Sequence, residues 1–276
     1  MRKKSKTTRQ KKEQPSPAVI LEKFTDKIEE EYNVIFKPND GPQTDFLAAS
    51  EREVLYGGSA GGGKSYAMLA DPLRYMGNPA FSGLLLRHTT EELRELITKS
   101  QEMYPKIWPG IKWSERKMQW TAPSGAKLWL SYLDKDQDVT RYQGLAFSWI
   151  GFDELTQWAT PFAWSYMRSR LRSADPTLPL SMRATTNPGG RGHGWVKKMF
   201  IDPAPAGKSY IATDIETGEQ LKYPAGHEKA GRPLFKRRFI PARLKDNPYL
   251  AQQGDYEAML LSLPEQQRRQ LLDGDW

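Results

Sequence analysis

Cysteine is missing altogether from the 276 residues, which excludes disulfides and thiolate metal sites and suits a reducing compartment. Histidine is scarce: only His88, His193 and His227 occur, scattered along the chain, so a zinc centre is not expected. Long apolar runs are missing too. The longest, Gly83 to Leu86 and Ala146 to Phe152, fall far short of the roughly 20 residues that cross a bilayer. No N-terminal segment carries the apolar middle region of a secretory signal, so neither secretion nor membrane insertion is expected. Outside one segment there is also almost no net charge. Of the formal +8, the seven Lys/Arg of residues 1–12, with no acid among them, leave +1 for everything else. Basicity is thus a property of a tail, and such a like-charge block with Ser, Thr and Gln reads as disordered, with phosphate backbone as a candidate contact.

What is present describes a globular body. A hydrophobic share of 38% against 27% charged residues supports a real core. After Pro15-Ser16-Pro17, residues 19–31 show helical spacing through Ile20, Phe24 and Ile28. A short helix over 43–49, strands at 54–56, 84–87, 147–152 and 180–186, and helices at 64–75, 91–103 and 161–171 alternate along the chain. Residues 117–120 and 127–133 form a hairpin around Pro123-Ser124-Gly125. Trp108, Trp113, Trp120 and Trp129 around it suggest packing, not a stacking platform. Alternating strands and helices predict a mostly parallel sheet covered on both faces. A short helix at 195–200 follows. Beyond residue 203 Gly, Pro and charge dominate, with a strand expected at 235–240 and helices at 248–261 and 264–272. The expected division is a basic tail (1–17), a core domain (18–203) and a small C-terminal lid (204–276).

One stretch carries specific chemistry. Gly58-Ser59-Ala60-Gly61-Gly62-Gly63-Lys64-Ser65 fits the phosphate-binding loop G-x4-G-K-[ST], and it follows a predicted strand and opens a predicted helix. Glycines let several N–H groups converge on one anion, and the helix N-terminus adds positive potential. Lys64 would bridge the β- and γ-phosphates of ATP, and Ser65 would ligate Mg²⁺. A dinucleotide site is excluded because no G-x-G-x-x-G spacing occurs there. The second requirement is a carboxylate at a neighbouring strand end. Trp149-Ile150-Gly151-Phe152-Asp153-Glu154 offers two: Asp153 to organise the metal and Glu154 to polarise the attacking water. A GTPase would add Asn-Lys-x-Asp, which does not occur.

With these motifs the chain, from about Lys37 to Trp276, resembles the large terminase subunit of tailed bacteriophages, in its N-terminal ATPase domain. The resemblance rests on Gln43, the Gly58–Ser65 loop, Arg141-Tyr-Gln-Gly144, Phe152-Asp-Glu-Leu155, Thr185-Thr-Asn-Pro-Gly-Gly190 with His193-x-Trp195, and Leu271-Leu-Asp-Gly-Asp-Trp276. It implies a P-loop NTPase of the RecA-like (ASCE) type, with Gln43 at the adenine edge and Thr185-Thr186-Asn187 coupling the γ-phosphate to the lid. Many terminases carry a basic residue inside the loop, where this chain has Ser59-Ala60-Gly61-Gly62. Arg141 resembles the arginine that acts in trans, and Arg87 is the other candidate. The resemblance further implies a homo-oligomeric ring, double-stranded DNA, a portal protein and a small terminase subunit as partners. It also implies action in the cytoplasm of an infected bacterium, docked transiently on a procapsid. Lys236-Arg237-Arg238, Arg191, Lys197 and Lys198 are candidate DNA-facing groups, with an ordinary solvated face as the other reading of each cluster. No nuclease activity is expected, since no acidic cluster follows Glu154. Two other readings stay open: a different RecA-like motor such as a helicase or remodeller, and a nucleotide-gated assembly module with little hydrolysis.

Overall fold

The computed structural model describes residues 34–276. The expected basic tail and the helix at 19–31 lie outside the described residues. The compact unit runs from Pro38 to Trp276.

In chain order the unit opens with α1 (Pro42–Ala48) and β1 (Glu53–Gly58), and the glycine loop leads into α2 (Lys64–Ala70). A 3-10 turn with Pro72 in it then closes the expected helix at Tyr75. Next come β2 (Ser82–Arg87) and α3 (Thr90–Ile107). The start of α3 is set by a reciprocal capping box between Thr89 and Glu92. The meander β3 (Lys112–Ser114), β4 (Gln119–Thr121) and β5 (Lys127–Tyr132) contains the expected hairpin. Its tryptophans pack: Trp120 is 2% exposed, tilts against Trp113 and Tyr104, and donates from Nε1 to Ser100 Oγ at 3.0 Å. Then follow β6 (Trp149–Phe152), α4 (Phe162–Arg168), β7 (Ser181–Thr186) and α5 (His193–Val196). The chain ends with β8 (Ser209–Ile211), β9 (Lys236–Ala242), α6 (Pro248–Ala251), α7 (Asp255–Leu261) and α8 (Glu265–Arg268).

All nine strands of the described residues join one sheet in the order β3-β4-β5-β2-β6-β7-β1-β9-β8. From β5 to β9 every pairing is parallel, and the antiparallel pairs are confined to the two edges. Burial explains the centre. Every residue of β1, β6 and β7 is buried, as strands covered on both faces require. The main core, from Leu55 and Leu84 through Phe152 and Trp164 to Phe200 and Phe239, lies against these strands. The strand expected at 235–240 returns to this sheet as β9 and pairs with β1 from Glu53 to Gly58. The Gly- and Pro-rich stretch before it supplies the edge strand β8, antiparallel to β9.

For the run Lys236-Arg237-Arg238, a candidate DNA face or solvated face, this placement is a correction: Arg237 is not at the surface. Strand alternation sends Arg237 inward, 1% exposed, where its Nε meets the fully buried Glu53 carboxylate at 2.6 Å. Arg238 donates to Gly207 O, and Lys236 alone of the three is exposed. Lys197 donates to Trp276 O at 2.8 Å, whereas Arg191 and Lys198 are exposed.

Candidate nucleotide site

Parallel strands point their C-terminal ends the same way, and the motifs occupy three of those ends: the glycine loop after β1, Asp153-Glu154 after β6, and Asn187 after β7. Between them lies a cleft of about 330 Å³, lined by residues 60–66 together with Glu154 and Asn187.

The loop is held by its carbonyls. Lys64 Nζ donates to Ser59 O at 2.7 Å, Asn247 Nδ2 to Gly61 O at 2.7 Å, Tyr56 OH to Gly62 O at 2.7 Å and Gln43 Nε2 to Gly63 O at 2.9 Å. In a trans peptide the N–H points opposite to the C=O, so the amides of Gly62, Gly63 and Lys64 face away from these anchors. Successive amides turned to one side form an anion-binding nest, continued by the start of α2. Two positions demand glycine. Gly58 has φ 141°, and a Cβ there would sit 2.2 Å from Ala242 O of β9. Gly63 is left-handed at φ 74°, and a Cβ would meet Gln43 Nε2 at 2.8 Å.

Lys64 is 7% exposed, and its ammonium also donates to Asn187 Oδ1 at 2.8 Å. Burial lowers its pKa, while the Glu154 and Asp153 charges oppose that shift. Ser65 is half-buried at the cleft.

The two acids have different surroundings. Asp153 is fully buried, with Oδ1 accepting from Thr185 Oγ1 and Oδ2 lying 2.9 Å from Arg87 Nε. That ion pair is close but misaligned, for Arg87 Nε and Asp153 Oδ2 both lack a hydrogen-bond partner. Glu154 is left-handed at φ 61°, ψ 56° and reaches the cleft. Its N–H donates to Thr185 Oγ1 at 3.4 Å, and its Oε2 accepts from Asn187 N at 3.3 Å. Burial first, and then the Asp153 charge, raises the Glu154 pKa; Lys64 and Arg87 pull the other way. Asp153 Oδ2, buried without a directed hydrogen bond, and the half-buried Ser65 hydroxyl at the cleft are hard oxygen donors of the kind that fits Mg²⁺. Among the described residues no group of three or more His, Cys, Asp or Glu gathers around a metal position, so water and phosphate would complete the shell.

Of Thr185-Thr186-Asn187, only Asn187 reaches the cleft. Both threonines are fully buried, with hydroxyls engaged by Asp153 and Thr156. Gln43 is 4% exposed, and its Oε1 accepts from Asn39 N at 2.6 Å, so both ends of its amide hold backbone. Arg87 lies against the acids of its own chain. Arg141 stands outside the cleft: it is exposed, donates to Tyr132 O at 2.7 Å and pairs with Asp138 at 3.8 Å. Sequence reasoning missed Tyr56, Asn247 and Thr156. The first lay inside a recognised strand, and the other two act through contacts far along the chain.

No curated protein matches the chain. Among solved structures, the large terminase of a thermophilic bacteriophage in complex with ADP aligns with a TM-score of 0.59 at 15% identity, covering 85% of this chain and 53% of its own. The same enzyme with ATP-γ-S gives 0.57 at 15%, over 87% and 53%. A Thermus phage large terminase ATPase domain gives 0.54 at 12%, over 91% and 97%. These likenesses establish the fold, a P-loop sheet of the terminase ATPase kind, and the chain spans about half the length of the first-named terminase (53%). The family model for the N-terminal part of the terminase large subunit, T4-like-virus type, matches residues 55–276, and the chain therefore belongs to the large terminase family.

Proposed function

We propose that this chain is the ATP-hydrolysing motor part of a phage terminase, which couples hydrolysis to movement of double-stranded DNA into a procapsid. The observation that carries the reading is the meeting of Lys64, Glu154 and Asn187 in one cleft beside the anion nest of Gly62–Lys64. Phosphoryl transfer needs positioned charge more than covalent chemistry, and these groups supply it. The nest and Lys64 bind the β- and γ-phosphates. Glu154 orients and polarises the attacking water, and its raised pKa makes it a better proton acceptor than an exposed glutamate. Asn187 relates the two by touching both Lys64 and Glu154. Ser65 and Asp153 would hold Mg²⁺, which when bound neutralises phosphate charge.

The loop lacks a basic side chain among residues 58–63. Arg141, exposed and outside its own cleft, suits a role in the cleft of a neighbouring copy, so the active form is a homo-oligomeric ring. Duplex DNA held through phosphates, a portal protein and a small terminase subunit are the partners of this reading. The host cytoplasm, with transient docking on the procapsid, is its place. Of residues 204–276, those after β9 serve as the lid: Leu244, Leu250 and Tyr256 crowd Gly61, each within 3.2 Å of a Cβ placed there, and Asn247 holds that glycine's carbonyl. Among the described residues no helix is long and apolar enough to cross a membrane.

Glu154→Ala tests the reading. It is expected to keep binding of a fluorescent ATP analogue and to lose turnover about 10²-fold or more. An unchanged rate removes Glu154 from catalysis, and an unaltered wild-type chain that binds no ATP removes the motor.

A further inference from the structure

Glu154 reaches the cleft only because its backbone is left-handed, a conformation that a residue with a side chain rarely adopts. Such a conformation persists where the surroundings over-determine it. The restraint comes from two residues further on. Thr156 is 4% exposed, donates its N–H to Thr186 Oγ1 at 3.2 Å, and accepts from Gly192 N at 2.7 Å through its carbonyl. Its hydroxyl lies 2.7 Å from Thr186 Oγ1 and 3.2 Å from Asn187 O, and Thr186 Oγ1 lies 3.1 Å from that same carbonyl. Two hydroxyl protons serve these three contacts: one hydroxyl donates to the other, which donates to Asn187 O. The residue clamped in this way is the one whose N–H meets Glu154 Oε2 and whose Oδ1 meets Lys64 Nζ. The turn after β6 and the end of β7 are thereby fastened on either side of the Glu154 carboxylate.

We infer that Thr156 is a positioning residue for ATP hydrolysis, locking the Glu154 turn against Asn187 through its hydroxyl. The inference rests on the ATPase reading and deepens it. Thr156 lines neither the nest nor the cleft, so its loss acts on the orientation of Glu154 and leaves the phosphate contacts in place.

Thr156→Val keeps the shape and removes the hydroxyl. Thr186 Oγ1 retains the Thr156 N–H and Asn187 O as partners, so no buried hydroxyl is orphaned. Thr156→Ser puts the hydroxyl back. At a protein concentration where wild-type turnover no longer rises, T156V is expected to lose kcat about tenfold or more, with affinity for a fluorescent ATP analogue within about twofold of wild type. T156S should return kcat to within about threefold of wild type. If T156V does not fold, Thr156→Ala removes the same hydroxyl with less bulk, keeps the N–H contact to Thr186 Oγ1, and must give the same split. Wild-type kcat in T156V, a parallel loss of affinity and turnover, or no rescue by serine overturns the positioning role. A wild-type chain that binds ATP and never hydrolyses it overturns the ATPase reading and this inference together. That outcome is visible before any substitution is made.

Discussion

Replacing Arg237 by alanine separates a buried structural cation from a DNA-gripping one. The guanidinium is 1% exposed, with Nε 2.6 Å from the Glu53 carboxylate and Nη1 donating to Thr213 O at 2.7 Å. It also lies over the Phe235 and Phe200 rings, at 5.6 and 5.8 Å. Removing one partner of a buried pair costs about 3–5 kcal/mol, because the other charge stays behind without water. Here Arg168 remains beside Glu53, so the lower end applies, about 3 kcal/mol. For a chain of this size that corresponds to a fall in Tm of roughly 6–12 °C. Lys236→Ala, at an exposed neighbour, should stay within about 0.5 kcal/mol of wild type. Urea unfolding and DNA binding across a salt series are the assays. A phosphate-gripping arginine would do the reverse: unfolding within about 1 kcal/mol of wild type, and a salt slope reduced by about one unit. That result would refute the core assignment. The pH dependence offers a second check. Burial raises the Glu53 pKa, but Arg237 and Arg168 outweigh it and the net shift is downward from 4.5. A depressed folded pKa means the pair's stabilisation is full above the ordinary glutamate value and is lost as pH falls through the folded one. In R237A this acid-side loss should shrink.

Two further outcomes follow from the site. Because Glu154 must be ionised to polarise water and its pKa is raised, the rate should fall on acidification at a pH above the ordinary carboxylate range. A pH profile of kcat that stays flat down to that range would remove Glu154 as the base. Arg141→Ala should abolish turnover yet leave ATP binding intact, and mixing it with E154A chains should restore part of the rate, since some neighbours then pair an intact Glu154 with an intact Arg141. Turnover per chain that is independent of protein concentration in the wild type would count against an arginine given in trans.

The features legible in the sequence were those whose chemistry is local. A glycine loop between a buried strand and a helix is written in eight consecutive residues, and the acid pair in the six from Trp149 to Glu154. Asn247, one anchor of that loop, was not legible because it meets Gly61 from 186 positions away, nor was Thr156, which meets Thr186 at the end of the neighbouring strand from 30. The Arg237 placement was within reach. The sequence predicts a strand at 235–240, and period-two alternation puts Arg237 on the face of Phe239. Counting positive charge along the chain, without asking which face each residue occupies, turned an inward arginine into a surface one.

Adjacent carboxylates with opposite tasks pose a physical problem that the end of β6 answers. In a continuing strand Glu154 would project to the face opposite Asp153. Asp153 takes the inner position, where Arg87 and Thr185 meet its charge. One left-handed residue then ends the strand and carries the next carboxylate into the cleft, with a single hydrogen bond from Asn187 N to its Oε2. The first acid is therefore compensated by its own chain. The second is half-buried at the cleft, with little to stabilise its charge beyond Lys64, Arg87 and that one amide, and its pKa is raised. One left-handed residue thus separates an inward, ion-paired Asp153 from a Glu154 that lines the cleft, which is the division of labour that the proposed hydrolytic site requires.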